Sequence, residues 1–256
     1  MGAKTTAALV RLSPMILLFT DFGLSGPYTG QMKAVLAQQA SGVPVIDLFA
    51  DAPAFDPQLS AYLLAAYAPA FPAGSVFLSV VDPGVGTDRR PVMVEADGRW
   101  FVGPDNGLLA LTARRATLLN AWKIDWIPDR LSASFHGRDL FAPVAASLAT
   151  GQVVARSPLD PAAIDRPDWP DELARIVYVD VYGNAMTGIR ASTLPADAVL
   201  TAGGTRIAPA RTFGAVGPGE PLWYGNSNGL AEIAVNRGRA EDVLGLKVGD
   251  PVTVES

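Results

Sequence analysis

Cysteine is absent from this 256-residue chain, and histidine occurs once, as His136. Disulfides, thiolate nucleophiles and thiolate-bound metals are therefore excluded. A single histidine also removes every motif that needs two, including the paired-histidine zinc sites. Lys and Arg never run more than two together and the net charge is −5, which argues against a nucleic-acid backbone or an anionic membrane as the main partner. No apolar run approaches the roughly 20 residues of a membrane span, and the patch at residues 7–10 is too short for a secretory core. Residues 1–14 are read as a poorly ordered leader, and the protein as cytoplasmic.

What is present is mostly apolar. At 49% hydrophobic and 18% charged, the chain can bury a sizeable core, as one large domain or a large one with a small companion. The first half alternates. Ile16 to Phe19, Val43 to Phe49 and Ser75 to Val81 are apolar strand candidates. Between them, Tyr28 to Ala40 carries Tyr28, Met32, Val35 and Leu36 at helical spacing, and Asp56-Pro57 reads as an N-cap with proline at the first helical position. Strands that are apolar throughout and separated by helices are the pattern of a mostly parallel α/β sheet. Val92 to Ala96 and Trp100 to Val102 flank Asp97-Gly98, a tight-hairpin signal. Helices are expected over residues 106–115 and 138–150.

Prolines at 158, 161, 167 and 170 mark residues 151–170 as a linker between an α/β domain (15–150) and a second unit (171–256). In that unit six short strand-like pieces alternate with Gly and Asn turns, and Ala240 to Leu246 is the one helical turn expected. This is the texture of a small all-β, barrel-like domain.

Asp21, Asp47 and Asp82 fall at or near the C-terminal ends of the three strands, the edge where open α/β sheets bind ligands. An Asp there often caps a turn and no more, and Asp47 is read that way. Asp21 and Asp82 each precede a Gly-containing turn that lets backbone approach a ligand, and a carboxylate after the first strand suits a ribose diol. The run from Asp82 through Gly84, Gly86 and Thr87 to Arg89-Arg90 lacks the Gly-Lys-Ser/Thr of a phosphate loop. His136 sits in a loop before a helix, where it could be structural or a proton carrier. These residues alone indicate a nucleoside- or nucleotide-handling α/β protein.

Seven motifs in order make the chain similar to a known family: Thr20-Asp21-Phe22-Gly23, residues 81–86, Arg89-Arg90, residues 103–107, residues 135–139, residues 180–184 and residues 226–229. From about residue 15 to its end it resembles the S-adenosyl-L-methionine hydroxide adenosyltransferases, relatives of the bacterial fluorinase and chlorinase. The resemblance implies an N-terminal α/β domain, a C-terminal β-barrel, and a homotrimer binding S-adenosyl-L-methionine between one subunit's first domain and a neighbour's second. It implies hydrolysis to adenosine and methionine, with Asp82, Arg89 and His136 positioning water and with no metal or other cofactor. Asp82 stands where the fluorinase has tyrosine, which favours water over halide as nucleophile. By the same resemblance, Asp21 holds the ribose hydroxyls and Phe55 packs near the sugar or adenine. Phe135 and Phe213 sandwich the base, and Asn184 hydrogen-bonds it, with backbone near Arg237. Asp180 and Ser227 hold the methionine ammonium and carboxylate. Phe55 and Met186 replace tryptophans of the halogenases, and Gly188 follows Thr187 where the family usually has Asn. The other readings are a 5′-halo-5′-deoxyadenosine synthase and a non-catalytic adenosyl-ligand binder. Without the resemblance, the three phenylalanines would be read as core and the segments 180–184 and 226–229 as ordinary turns.

Overall fold

The apolar segments of the first half become strands β1 (Ile16–Thr20), β2 (Val45–Phe49) and β3 (Val76–Val80), with helices α1 (Tyr28–Gln39) and α2 (Pro57–Tyr67) between them. The computed structural model describes residues 14–255. All but the last residue of the expected leader, residues 1–14, lies outside the described residues. Asp56 caps α2 as expected, its Oδ1 accepting from the Leu59 N–H at 2.9 Å. The hairpin forms between β4 (Pro91–Ala96) and β5 (Arg99–Pro104), with Asp97 and Gly98 at φ 47° and 75°, the left-handed pair of a type I′ turn.

The helix expected over 106–115 is shorter, α3 (Ala110–Arg115). Asn106 is instead engaged as a clasp: its Nδ2 donates to the Val81 carbonyl at 2.8 Å and its Oδ1 accepts from Leu108 N–H at 3.2 Å. Gly107, at φ 100°, lies so close to the Trp169 ring that a Cβ would sit 2.4 Å from it. Strand β6 (Leu119–Ile124) was not foreseen. A π-helical turn over Gly137–Phe141 then leads into α4 (Ala142–Ala149).

The expected linker, residues 151–170, is not a free connection. It carries β7 (Arg156–Leu159), which pairs with β6, and Arg166 Nη2 donates to Asp105 Oδ1 at 2.9 Å. Arg114 reaches Asp165 and the Trp169 carbonyl at 2.9 and 2.8 Å. Proline density signalled irregular backbone, and side chains from the first domain hold that backbone down.

The large sheet has the order β2-β1-β3-β5-β4-β6-β7. Strands β1, β2, β3, β5 and β6 run one way, with β4 and β7 against them. Alternation along β1 and β3 divides the core: Leu17, Phe19 and Phe77 face α2 and α3, while Ile16, Leu18, Val76 and Leu78 face α1 and α4. Each such side chain contributes roughly 1.5–3 kcal/mol by leaving water, so burial on both faces specifies the helix–sheet–helix layers.

The remaining strands are β8 (Leu173–Val179), β9 (Ala185–Arg190), β10 (Val199–Ala202), β11 (Thr205–Ile207), β12 (Pro221–Gly225), β13 (Leu230–Val235) and β14 (Thr253–Glu255), with α5 (Ala240–Leu244) before the last. These strands form two antiparallel sheets, β12-β13-β9-β8 and β11-β10-β14. Isolated bridges, Arg175–Pro251 and Pro209–Trp223, join their edges. Strand β9 was missed because Gly188 interrupts it. A Cβ there would lie 2.7 Å from Leu173 Cβ, so the glycine permits close approach of β8. Helix α2 packs against this second region as well, through Leu173, Val177 and Met186.

Candidate active site

Parallel pairing aligns Thr20 of β1 with Val80 of β3, so Asp21 and Asp82 emerge side by side at one sheet edge. Strand β4 runs against its neighbour β5, pairing Pro91 with Pro104, and therefore begins at that same edge. Arg89, two residues before β4, is delivered there. Gly86 makes the intervening loop possible: at φ 83°, a Cβ on it would meet the Ala133 carbonyl oxygen at 2.6 Å. The loop that precedes His136 is thereby brought against the Asp82–Arg89 loop.

Asp82, Arg89 and His136 converge. Arg89 Nε donates to both Asp82 oxygens at 2.9 Å, and Nη2 reaches Oδ2 as well. The same Nη2 lies 2.9 Å from His136 Nδ1. The pair is buried, at 8% and 5% side-chain exposure, with the guanidinium 5.2 Å from the Phe141 ring centroid. A guanidinium has no acceptor, so His136 Nδ1 must accept and the neutral ring carries its proton on Nε2. Burial and then the Arg89 charge hold the imidazole pKa below its usual value, so the neutral form prevails at pH 7. Asp139 fixes the loop from behind, accepting from Ser132 N–H at 2.9 Å and from Arg138 Nε at 2.6 Å.

Asp21 accepts the Phe55 N–H at 3.0 Å. Phe55 has φ 60°, unusual for a bulky residue, and is 77% exposed. Burial pushes the Asp21 carboxyl up; the Phe55 N–H opposes this and the neighbouring Asp82 charge reinforces it. Phe135 is half-buried at the margin of the core, where Phe22 and Tyr28 meet it edge-on, at 5.8 and 5.5 Å between centroids. Asp21, Asp82, Phe55, Phe135 and His136 line one cavity of about 480 Å³, together with Phe22, Tyr28 and Ser134.

The other expected residues gather elsewhere. Asp180, Asn184, Phe213, Ser227 and Arg237 line a second cavity of about 610 Å³ in the C-terminal region. The two cavities share no lining residue. Asp180 closes its own turn, Oδ1 accepting from Tyr182 and Asn184 N–H at 2.9 and 2.8 Å and Oδ2 from Asn184 Nδ2 at 3.1 Å. Asn226 Oδ1 accepts from the Asn228 and Leu230 N–H groups, both at 3.0 Å, and presents Ser227 at the rim. Phe213 packs on Tyr224 at 5.3 Å. Phe135 and Phe213 thus lie in different cavities of one chain. Asp47 pairs with Lys33 at 2.5 Å and lines neither cavity, while Arg90 pairs with Asp105 at 2.8 Å through Nε, a structural tie. Among the described residues, no three His, Asp or Glu side chains group as a metal site, and no helix is long and apolar enough to cross a membrane.

Residues 16–157 match the SAM hydroxide adenosyltransferase N-terminal domain, and residues 174–253 match the C-terminal domain. The chain belongs to this family. A SAM hydroxide adenosyltransferase relative from Thermus thermophilus, named (R)-S-adenosyl-L-methionine hydrolase, is 42% identical over 93% of this chain and 98% of its own length. One of the same name from Salinispora arenicola is 38% identical over 94% and 98%. A fluorinase from Actinopolyspora mzabensis is 24% identical over 94% and 97%, a more distant relative. Among solved structures, an uncharacterized conserved protein from Thermotoga maritima superposes with a TM-score of 0.80 at 31% identity, covering 94% of this chain and all of the other.

Several lining residues of this family member escaped the sequence reading. In the sequence, Tyr28 and Phe22 stand only within a helical pattern and a turn motif. Tyr67, at the end of α2, crosses into the second cavity, where its hydroxyl lies 3.4 Å from Met186 Sδ. Glu232 lies inside the apolar run Leu230–Val235, and that lone charge was the available signal.

Proposed function

We propose that the chain hydrolyses S-adenosyl-L-methionine to adenosine and L-methionine, in the (R) form carried in its relatives' names, by in-line attack of water on the ribose 5′ carbon. The observation that carries this reading is the joining of Asp82 and His136, which line one cavity with Asp21, by the Arg89 guanidinium that bonds both. The oxygen–carbon bond forms as the carbon–sulfur bond breaks, and its electron pair leaves on sulfur as a neutral thioether. No general acid is required. The enzyme must position one water and accept one proton. His136 presents Nε2–H, so it donates to the nucleophile's oxygen, and the Asp82 carboxylate takes the proton before passing it to solvent. Arg89 orients both partners and offsets charge that develops on oxygen. Asp21, next to this edge, suits the ribose hydroxyls.

The adenine and methionine ends are assigned to the second cavity: Phe213 and Asn184 for the base, with backbone near Arg237, and Asp180 with Ser227 for the amino acid. Since the cavities share no lining residue, one ligand is served by the first cavity of one copy and the second of a neighbour in a homotrimer. Exposed apolar side chains support this arrangement: Leu24 and Phe55 on the first region, and Val181 and Tyr182 on the second. Phe135 and Phe213 then sandwich the base across that interface. The protein is read as cytoplasmic, without a metal or other cofactor, and its second region as a barrel-like unit.

Incubation of pure protein with the substrate should release adenosine and methionine in equal amounts. No adenosine above background at high enzyme concentration overturns the assignment. Halide transfer is the second reading, since fluorinases are among the relatives. Added chloride or fluoride should give no 5′-halo-5′-deoxyadenosine, because the Asp82–Arg89 pair fills the position with a carboxylate that repels an anion. Binding without turnover would mark the chain as an adenosyl-ligand sensor.

A further inference from the structure

The loop from Asp82 to Arg89 leaves β3 and enters β4, yet these strands are not neighbours: β5 lies between them in the sheet. The spacing of the loop's two ends is therefore set across a third strand. The β3–β5 ladder closes at the Leu78–Val102 pair, and Pro104 at the end of β5 has no N–H to donate. The next two residues, Asp105 and Asn106, reach both ends instead. Asn106 Nδ2 donates to the Val81 carbonyl at 2.8 Å, one residue before Asp82. On the other side, Asp105 N–H donates to the Arg90 carbonyl at 2.9 Å, one residue after Arg89. Asp105 Oδ2 also accepts from Arg90 Nε at 2.8 Å.

Both residues are themselves anchored. The Asp105 side chain is 5% exposed and receives a second guanidinium, Arg166 Nη2, on Oδ1 at 2.9 Å. Charge-assisted bonds from two directions make it a rigid post. Asn106 Oδ1 accepts from the Leu108 N–H at 3.2 Å, which fixes its own turn. A tie that served the fold alone could join any part of the loop. These ties hold the residues next to Asp82 and next to Arg89, the two members of the buried pair. Misplacing a reacting group by about 1 Å can lower its rate about 100-fold, so backbone held at those two points bears on chemistry.

We infer that Asp105 and Asn106 are positioning residues, which set the spacing of Asp82 and Arg89 and, through Arg89, the orientation of the His136 imidazole. Their effect on turnover rests on the hydrolase reading above, which is thereby extended to the motif at residues 103–107. Neither residue lines the first cavity, so both act through the groups they hold. The charged groups that bear on the His136 ring are Arg89 and Asp82 of the held loop and Asp139 of its own turn, with Asp21 across the cavity. Of the first three, Arg89 acts most strongly, and it lowers the imidazole pKa. Slack at either end of the loop lets the guanidinium drift from Nδ1, and the pKa then rises toward 6.5.

Because the chain has one histidine, a histidine-labelled sample gives a single imidazole titration by NMR, with no turnover needed. The variants are Asn106→Ser and Asp105→Asn. A serine hydroxyl can still accept from the Leu108 N–H but is too short to reach the Val81 carbonyl. Asn at 105 keeps an acceptor toward Arg90 without the charge. Arg114→Gln is the comparator, since it cuts ties to Asp165 and the Trp169 carbonyl that do not involve the loop. In both loop variants kcat should fall about 10-fold or more with KM nearly unchanged, and the His136 pKa should rise. Arg114→Gln should lower thermal stability and leave kcat and the titration as they were. An unmoved titration in the loop variants would reduce Asp105 and Asn106 to ties of the fold and overturn the inference. So would full kcat despite a moved titration, or the same changes in Arg114→Gln. If Asp105→Asn does not fold, Arg90→Lys loosens the same tie from its more exposed end and is judged by the same readings. The hydrolase reading is judged separately, by adenosine release from the unmodified chain. Should that release be absent, the hydrolase reading falls alone, and the imidazole titration still decides whether these residues set the triad.

Discussion

The two cavities are built on opposite principles. In the first, polar groups from two separate loops satisfy one another: Asp82 and Arg89 come from the two ends of the β3–β4 loop, and His136 opens the π-helical turn. In the second, polar groups are satisfied within single turns, as Asp180 is by residues 182 and 184 and Asn226 by residues 228 and 230. Long-range pairing holds reactive groups in one geometry against a packed sheet, which suits chemistry. Self-closed turns hold their shape locally and present an edge, which suits recognition. The difference teaches that catalysis and binding can be disturbed separately here.

The sharpest test of that separation is mutation of the first cavity. Asp82→Ala, Arg89→Ala and His136→Ala should each lower turnover by at least about 100-fold, the scale of a positioned acid–base group, with substrate affinity largely kept. Near-full activity in all three, measured as adenosine release, would dissolve the contrast. In the second cavity, Asn184→Ala or Phe213→Ala should raise KM about 10-fold, the scale of one lost hydrogen bond or stacking contact, and leave kcat nearly unchanged. Mixing Asp82→Ala chains with Asn184→Ala chains and refolding them together should recover part of the activity, if one ligand spans two copies. No recovery would place both half-sites in a single chain.

A third experiment addresses the loop that joins the charges. Gly86→Ala should destabilise the fold by roughly 1–2 kcal/mol from the left-handed backbone alone, with added strain against the Ala133 carbonyl. Thermal unfolding should register the loss, and turnover should fall further than binding.

The pH dependence follows from His136. Its pKa is lowered on folding, by burial and then by Arg89, so the unfolded chain binds more protons in the window below 6.5. Stability should therefore fall as pH drops through 6.5 toward the folded pKa and level off below it. Activity should fall on the same acid limb, with its inflection below 6.5, because a protonated Nδ1 can no longer accept from Arg89. An unchanged acid limb in His136→Gln would break this account. The smallest effect is expected at Asp47, whose pair with Lys33 is exposed. Asp47→Ala should change stability by less than about 1 kcal/mol and leave turnover untouched.

Much of the first region could be read in the chain. Continuous apolar runs wrote β1 and β3, the Asp56-Pro57 pair wrote the start of α2, and Asp97-Gly98 wrote the hairpin. The pattern faltered where tertiary contacts set the backbone. β7 passes through Pro158 because the partner strand β6 and the Arg114 and Arg166 side chains anchor that segment, and β9 tolerates Gly188 because β8 presses against it. The candidate site was legible in part. Asp21 and Asp82 were recognisable from their places at strand ends, whereas Arg89 and His136 were tied to them only by family resemblance. Tyr67 and Glu232 were not recognised, because each stands inside an element whose pattern reads as core.

By itself, the sequence determined the chemistry open to this protein: no thiol, a single imidazole, and carboxylates at the ends of parallel strands. It also determined the layers, since apolar runs and helical spacing act over a few residues. Only the tertiary structure decided which charges meet. The antiparallel entry of β4 and the positive φ of Gly86 bring Arg89 between Asp82 and His136 across 47 residues of chain. That contact fixes the proton on Nε2, because hydrogen-bond direction depends on geometry that no local pattern encodes.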